Sequence, residues 1–255
     1  MRFASLGSGS RGNATLVEAG GTRLVVDCGF SLRTFEARCA DLGVAPASIQ
    51  ALLVTHEHGD HLRGVGPLAR KYRLPVWMTH GTFRQATRCG DLPDLHLFGA
   101  QVPAFRIGAI EVRPYAVPHD AREPVQFVFA AGGKRLGLLT DAGSITPTIS
   151  ERLDGVDGLL LECNHDREML RNGPYPPRLQ ARVGGDWGHL SNGQAAGLLQ
   201  QLDRSRLQRL VLGHLSEKNN HPDLARRAVL GACPGFESRL AVLAQDQPSG
   251  WFELA

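Results

Sequence analysis

The chain predicts an α/β (α+β) fold in which two sheets are flanked by helices, and three observations carry that prediction. Short apolar, β-branched runs bounded by Gly, Pro or Asp recur in both halves of the 255 residues. Helix-like stretches lie between them. Two glycine pairs, Gly20-Gly21 and Gly132-Gly133, separate neighbouring runs and suit hairpin turns. A singly wound parallel sheet is the competing architecture, and those hairpins disfavour it.

In chain order, strands are expected at Ala14–Glu18 and Arg23–Asp27 around the first glycine pair, and then a helix over Ser31–Leu42 opened by a capping serine. A buried strand over Ala51–Thr55 follows and runs into a helix over His61–Tyr72. The second half repeats a similar mixture. Strands are expected at Ile110–Val117, Gln126–Ala130, Arg135–Thr140 and Leu159–Glu162, with helices at Thr146–Leu153, Asn192–Leu202 and Pro222–Leu230. After His214 only that last helix and a Leu240–Leu254 tail remain.

With 42% hydrophobic and 21% charged residues, the chain can bury a full core without disulfides or a partner. No Pro/Ser-rich linker, charge block or repeat divides it, so residues 1–255 are read as one domain. The five cysteines are odd in number and scattered, with no C-x-x-C pair, which points to a reducing compartment. The start, MRFASLGSGSRGN, has no apolar run resembling a signal peptide, and no stretch is long enough to span a membrane, so a cytoplasmic location is expected. A net charge of +3 is too mild to identify a nucleic-acid binder. Local clustering says more, because Arg167, Arg171, Arg178 and Arg182 crowd a segment that also holds Tyr175 and Trp187.

The segment Leu52-Leu53-Val54-Thr55-His56-Glu57-His58-Gly59-Asp60-His61 reads as a buried strand entering a loop and then a helix. His56 and His58 are two apart, so in extended chain they point the same way and can grip one cation. Asp60 and His61 lie past Gly59, where a tight turn can swing them toward a second cation. Glu57 reads as a solvated residue or a support behind the ligands.

These residues meet the H-x-H-x-D-H signature, and the chain resembles the metallo-β-lactamase-fold superfamily over its whole length. That resemblance implies a four-layer αββα sandwich with a two-metal site at one edge of its sheets, and further ligands at other strand ends. His119 after Pro118, Asp141 at the end of Leu138-Leu139-Thr140, and His214 after Val211-Leu212-Gly213 fit those places. The alternatives are a loop histidine, a helix cap and a core histidine. The first metal would take His56, His58 and His119, and the second Asp60, His61 and His214, with Asp141 and a water between them. Open positions on both mark a catalytic site in which Asp60 also serves the chemistry. Zinc is the first choice of cation, with manganese or iron as alternatives.

Two cations about 3.5–4 Å apart activate a shared water and clamp attacking and leaving oxygens, which suits phosphodiesters but also lactams and thioesters. The stretches Gly188-His189-Leu190-Ser191-Asn192 and Gly213-His214-Leu215-Ser216 resemble the ribonuclease Z branch, where the first histidine is not a ligand but works beside a glutamate on the scissile phosphate. Glu162 stands where that glutamate falls. It would hold His189 protonated, to stabilise phosphate charge and protonate the leaving oxygen.

The ordered set Ser8-Gly9-Ser10-Arg11-Gly12-Asn13, Thr55–His61, Glu162-Cys163-Asn164-His165-Asp166, Gly173-Pro174-Tyr175-Pro176, Gly188–Asn192 and His214–Asn220 resembles the YycJ (WalJ-like) family. That resemblance implies a nuclease with exonuclease activity toward DNA. The loop from His165 to Gly188 would wall the groove, with Arg171, Arg178 and Arg182 meeting phosphates and Tyr175 or Trp187 stacking on a base. His165 and Asp166 would assist the site or cap the next helix. His80, His96 and His221 have no supporting pattern. A cyclic-nucleotide-type phosphodiesterase, a glyoxalase II-like thioester hydrolase and a binding protein without turnover are the rivals. A homodimer is the assembly to expect if the chain oligomerises.

Overall fold

A computed structural model describes residues 1–255. The first sheet is built from β1 (Arg2–Gly7), β2 (Ala14–Ala19), β3 (Thr22–Val26), β4 (Ala51–Leu53), β5 (Val76–Thr79) and β6 (Leu95–Phe98). The second holds β7 (Phe105–Ile107), β8 (Ile110–Ala116), β9 (Val125–Ala131), β10 (Lys134–Leu139), β11 (Gly158–Glu162), β12 (Arg209–Gly213) and β13 (Leu240–Val242). A last strand, β14 (Phe252–Glu253), returns to the outer edge of the first sheet beside β1. Each sheet begins antiparallel and continues parallel, and the switch falls at β3 in one and β10 in the other. Both glycine pairs make the expected two-residue turns. Gly20 and Gly21 have φ of 55° and 77°, and Gly132 and Gly133 have 58° and 74°, the left-handed backbone that a type I′ hairpin requires.

The side-chain alternation of the central strands dictates four layers. In β11, Leu160 belongs to the apolar layer between the sheets, while Leu159 and Leu161 face helices; in β12, Val211 and the pair Leu210, Leu212 divide the same way. In β3 and β4, Leu24, Val26, Ala51 and Leu53 face inward, whereas Val25 and Leu52 face outward. Strands buried on both faces read as continuous apolar runs, and each outer face needs a helical cover. The cover is α1 (Leu32–Asp41) and α3 (Val65–Tyr72) on the first sheet, and α5 (Pro147–Leu153), α8 (Asn192–Gln201) and α9 (Pro222–Ala232) on the second. The result is an αββα sandwich. Hydroxyl caps begin α1, α5 and α8, where the side chains of Ser31, Thr146 and Ser191 accept from backbone N–H groups. No helix is long and apolar enough to cross a membrane.

Several elements differ from the sequence expectation. The helix expected over His61–Tyr72 is two: α2 (Gly59–Leu62) and α3 are separated at Arg63-Gly64. Gly64 donates its N–H to the Cys28 carbonyl at 2.7 Å, and a Cβ there would stand 2.1 Å from the Phe30 carbonyl oxygen. The chain therefore turns at the one residue that fits. The segment read as a loop between His165 and Gly188 contains α6 (Arg167–Asn172) and α7 (Pro177–Val183), and the C-terminal tail supplies β13 and β14. Also absent from the sequence expectation are β1, α4 (His80–Gln85), the short strands β5 to β7 and two 3-10 turns at Pro46–Ser48 and Thr87–Cys89.

Phe127 is fully buried in the layer between the sheets. Phe127→Ala is expected to cost about 3–5 kcal/mol of stability, measured by denaturant unfolding; a loss below about 1 kcal/mol, the level of an ordinary surface change, would contradict this packing.

Candidate metal centre and catalytic site

Strand ends build the site. β3 leads to Asp27, β4 to His56 and His58, β10 to Asp141, β11 ends in Glu162 and β12 leads to His214, while His119 follows β8 across Pro118. The first turn of α2 carries Asp60 and His61. Four non-glycine residues have positive φ, and three of them are here: Asp27 at 62°, Asp141 at 54° and His214 at 56°. A left-handed residue at the end of a strand turns the chain sharply and aims its side chain across the sheet edge, at a steric cost other residues avoid.

The side chains converge in four groups, within each of which the candidate ligand atoms lie within 4.8 Å of one another: His56, His58 and His119; Asp60, His61 and His214; His56, His61 and Asp141; and Asp141, Glu162, His189 and His214. Asp141 links the first two. Its Oδ2 is 3.2 Å from His61 Nε2, and its Oδ1 is 3.4 Å from His214 Nε2 and 4.0 Å from His119 Nε2.

The far nitrogens of the rings are engaged, and this settles which nitrogen faces the centre. Asp27 accepts from the N–H of Thr55 at 2.8 Å, from the Thr55 hydroxyl at 2.8 Å and from His61 Nδ1 at 2.8 Å. Thr55 Oγ1, its proton committed to Asp27, accepts from His56 Nδ1 at 2.9 Å. His119 Nδ1 donates to the Gly188 carbonyl at 3.0 Å, and His214 Nδ1 donates to Glu162 Oε1 at 3.0 Å. The Nε2 atoms of these four rings face inward, an arrangement typical of imidazole ligands, with His119 Nε2 3.2 Å from His58 Nδ1. His56 Nε2, His214 Nε2 and Asp141 Oδ2 are buried with no hydrogen-bond partner. Buried polar atoms are seldom left so, and three converging lone pairs of N, N and O character fit a divalent cation.

Electrostatics agree with that fit. Burial opposes ionisation of Asp141, yet His214 and His61 outweigh it and hold its carboxyl well below the usual range. Burial likewise opposes protonation of His214, but Asp141, Asp60 and Glu162 lift its pKa to about 10. His61 is raised against burial by Asp141, Asp27 and Asp60. His56, buried and facing His61, is pushed well down. The carboxylates thus create a strong demand for positive charge where the bare lone pairs meet.

Beside this cluster, Glu162 is wholly buried and fully used. Its Oε2 accepts from the N–H groups of Ala142 and Leu190, each at 3.1 Å, and its Oε1 accepts from His189 Nδ1 at 2.8 Å as well as from His214. Burial opposes its ionisation, but the charges and hydrogen bonds of His189 and His214 bring its carboxyl down to about 2. His189 is partly exposed and lines a cavity of about 360 Å³ with Ser10, His58, Asp60, Asp141, Tyr175 and Arg182.

Of the five residues expected to meet substrate, Tyr175 and Arg182 line this cavity and Arg171, Arg178 and Trp187 do not. Arg171 lies on α6, paired with Glu168 at 2.5 Å and facing a separate hollow with His165 and Gln180. Arg178 is exposed on α7. Read as a loop, the segment let all its arginines reach one groove; as two helices, it divides them between faces. Asp166 caps α6, and His221 caps α9. His165 is buried, and its Nδ1 has no partner.

Five supporting residues escaped the sequence reading of the site. Asp27 and Thr55 fix His61 and His56; Ser8 accepts the His214 N–H at 2.8 Å; Asn13 Nδ2 lies 3.0 Å from His61 Nε2. Asp120 stands between His58 Nε2, at 3.7 Å, and Arg182, at 2.5 Å. Asp27 ends an apolar strand as Asp141 does, and that was the available signal.

Comparison with known proteins places this geometry among relatives. Residues 22–215 match the family model of the beta-lactamase superfamily domain. The chain is 36% identical over 231 residues to the exodeoxyribonuclease YycJ of Bacillus anthracis, covering 90% of this chain and 88% of that protein. It is 34% identical over 236 residues to the exodeoxyribonuclease WalJ of Streptococcus pneumoniae, covering 90% and 87%. Among solved structures, the metallo-β-lactamase-fold protein YhfI from Bacillus subtilis superposes with a TM-score of 0.76 over 99% of both chains at 16% identity.

Proposed function

The chain belongs to the beta-lactamase superfamily and, within it, to the YycJ/WalJ family of metal-dependent hydrolases; from that premise we propose that it is a two-metal exonuclease acting on DNA. The observation that carries the phosphodiester reading is the Glu162–His189 pair, an imidazole held at 2.8 Å by a buried carboxylate beside the ligand cluster yet itself open to the cavity. A lactam or thioester needs no such group.

In this reading His56, His58 and His119 would hold one cation and Asp60, His61 and His214 the other, with Asp141 within 3.2–4.0 Å of His61, His214 and His119. When bound, two such cations lower the pKa of a water and neutralise charge on the phosphoryl oxygens. The protein's part is positional. Asp27, Thr55 and the Gly188 carbonyl lock the ligand rings with Nε2 inward. Glu162 accepts a hydrogen bond from His189 Nδ1 and leaves Nε2 as the ring's free nitrogen, from which the doubly protonated ring would donate to a phosphoryl oxygen and then to the departing 3′- or 5′-oxygen. Asp60, at the cavity floor, accepts a proton from the attacking water. Arg182 and Tyr175 meet the strand on the α7 side. Zinc suits this donor set, with manganese or iron as alternatives. All five cysteines are buried free thiols, consistent with work in a reducing cytoplasm.

The test is product length. End-labelled single- and double-stranded DNA and RNA, incubated with Zn²⁺ or Mn²⁺, should give a metal-dependent ladder from one end of DNA. Intact polymers alongside cleavage of bis-p-nitrophenyl phosphate would instead establish a small-diester phosphodiesterase.

A further inference from the structure

A second hollow, of about 420 Å³, adjoins the H-x-H-x-D-H loop. Glu57, Gly59, Leu62, Arg63, Gln85, Thr87 and Arg88 line it, and Gly59 also lines the catalytic cavity. Gly59 is exposed, and a Cβ added there would meet no atom within 4 Å. The residue that the two hollows share thus places no side chain between them.

Charge distinguishes this hollow from the catalytic cavity. There the one lining arginine, Arg182, is committed to Asp120. Arg63 and Arg88 are exposed and pair with no carboxylate. Glu57, the acidic residue of the lining, accepts the Arg122 N–H at 2.7 Å through Oε1 while its Oε2 is buried without a partner, so the lining carries one carboxylate to two guanidinium groups. Nearby Glu123 is spent in the same way on the N–H groups of Gly81 and Ala100. Two free guanidinium groups beside a polar floor match a polyanion in geometry and charge.

We infer that this hollow carries the polynucleotide away from the scissile phosphate: a single strand crosses Gly59 and places two further phosphates on Arg63 and Arg88. The inference rests on the nuclease reading above and adds a direction and a second contact surface to it. It also gives the site a reason to prefer a polymer over a small diester, since a short substrate cannot reach both hollows.

The test uses phosphorothioate oligothymidylate of about 12 nucleotides, and a trinucleotide of the same chemistry, with binding followed by fluorescence anisotropy against salt. For R63E/R88E the longer strand should bind at least tenfold more weakly, and its salt slope should flatten by about 1.4, the value for two lost single-strand phosphate contacts. Trinucleotide affinity should change less than twofold. R63K/R88K should retain the wild-type slope. Both positions are exposed, so circular-dichroism melting is expected to be unchanged. Wild-type length dependence and slope in the charge-reversed protein would overturn the inference while leaving the nuclease reading intact. Failure of the wild-type protein to bind either strand would remove both.

Discussion

Asp141→Ala should abolish activity, with a loss of at least about 10³-fold. One side chain lies within 3.2–4.0 Å of nitrogens from His61, His214 and His119, so its removal weakens both halves of the cluster together. Metal ions contribute several kcal/mol of transition-state stabilisation, and about 1.36 kcal/mol corresponds to each tenfold in rate. The accompanying measurement is metal content by mass spectrometry of the purified protein, expected to fall below two equivalents. Two full equivalents with unaltered turnover would remove Asp141 from the centre. The folded protein should persist without metal, because Asp141 is held by strand β10 and its layer, not the reverse.

His189→Ala should separate chemistry from metal binding. His189 is tied to Glu162 and lines the cavity, but its ring is not among the bare Nε2 atoms that converge on the centre. Loss of a positioned proton donor costs about 10²–10⁴-fold, and here the fall should appear in kcat with metal content unchanged. A phosphodiester bearing a p-nitrophenolate leaving group, which needs little protonation, should lose much less than DNA. Equal losses on both substrates, or depleted metal, would assign His189 a structural part instead.

Much of this candidate site was visible in the chain because several contributing strands are apolar runs that end at or just before a polar residue. Leu159-Leu160-Leu161 stops at Glu162, and Leu138-Leu139 stops one residue before Asp141. The buried side chains that support the rings were not visible, because their roles depend on partners remote in sequence: Ser8 meets His214, and Asp27 meets His61, only once the sheets have formed. Fold architecture followed the same rule. Most of the longer strands could be read, although the six-residue β1 was not; β5 to β7, β13 and β14 have two to four residues each and no period to detect. The arginine segment misled for a related reason. Its helices α6 and α7 are short and proline-punctuated, so nothing in the composition told which face Arg171 would take.

The strained strand ends have a further consequence for how this protein can change. A left-handed histidine costs about 1–2 kcal/mol relative to a comfortable backbone, and glycine at position 214 would relieve that cost. Against that relief stand the contacts of the imidazole with Glu162 and Asp141, whose buried carboxylates it helps to keep charged. Exchanging His214 for glycine would trade a strained backbone for unpaired buried charge. The position whose backbone fits it worst is thus tied to its neighbours, and the cluster would decay as a unit, not one residue at a time.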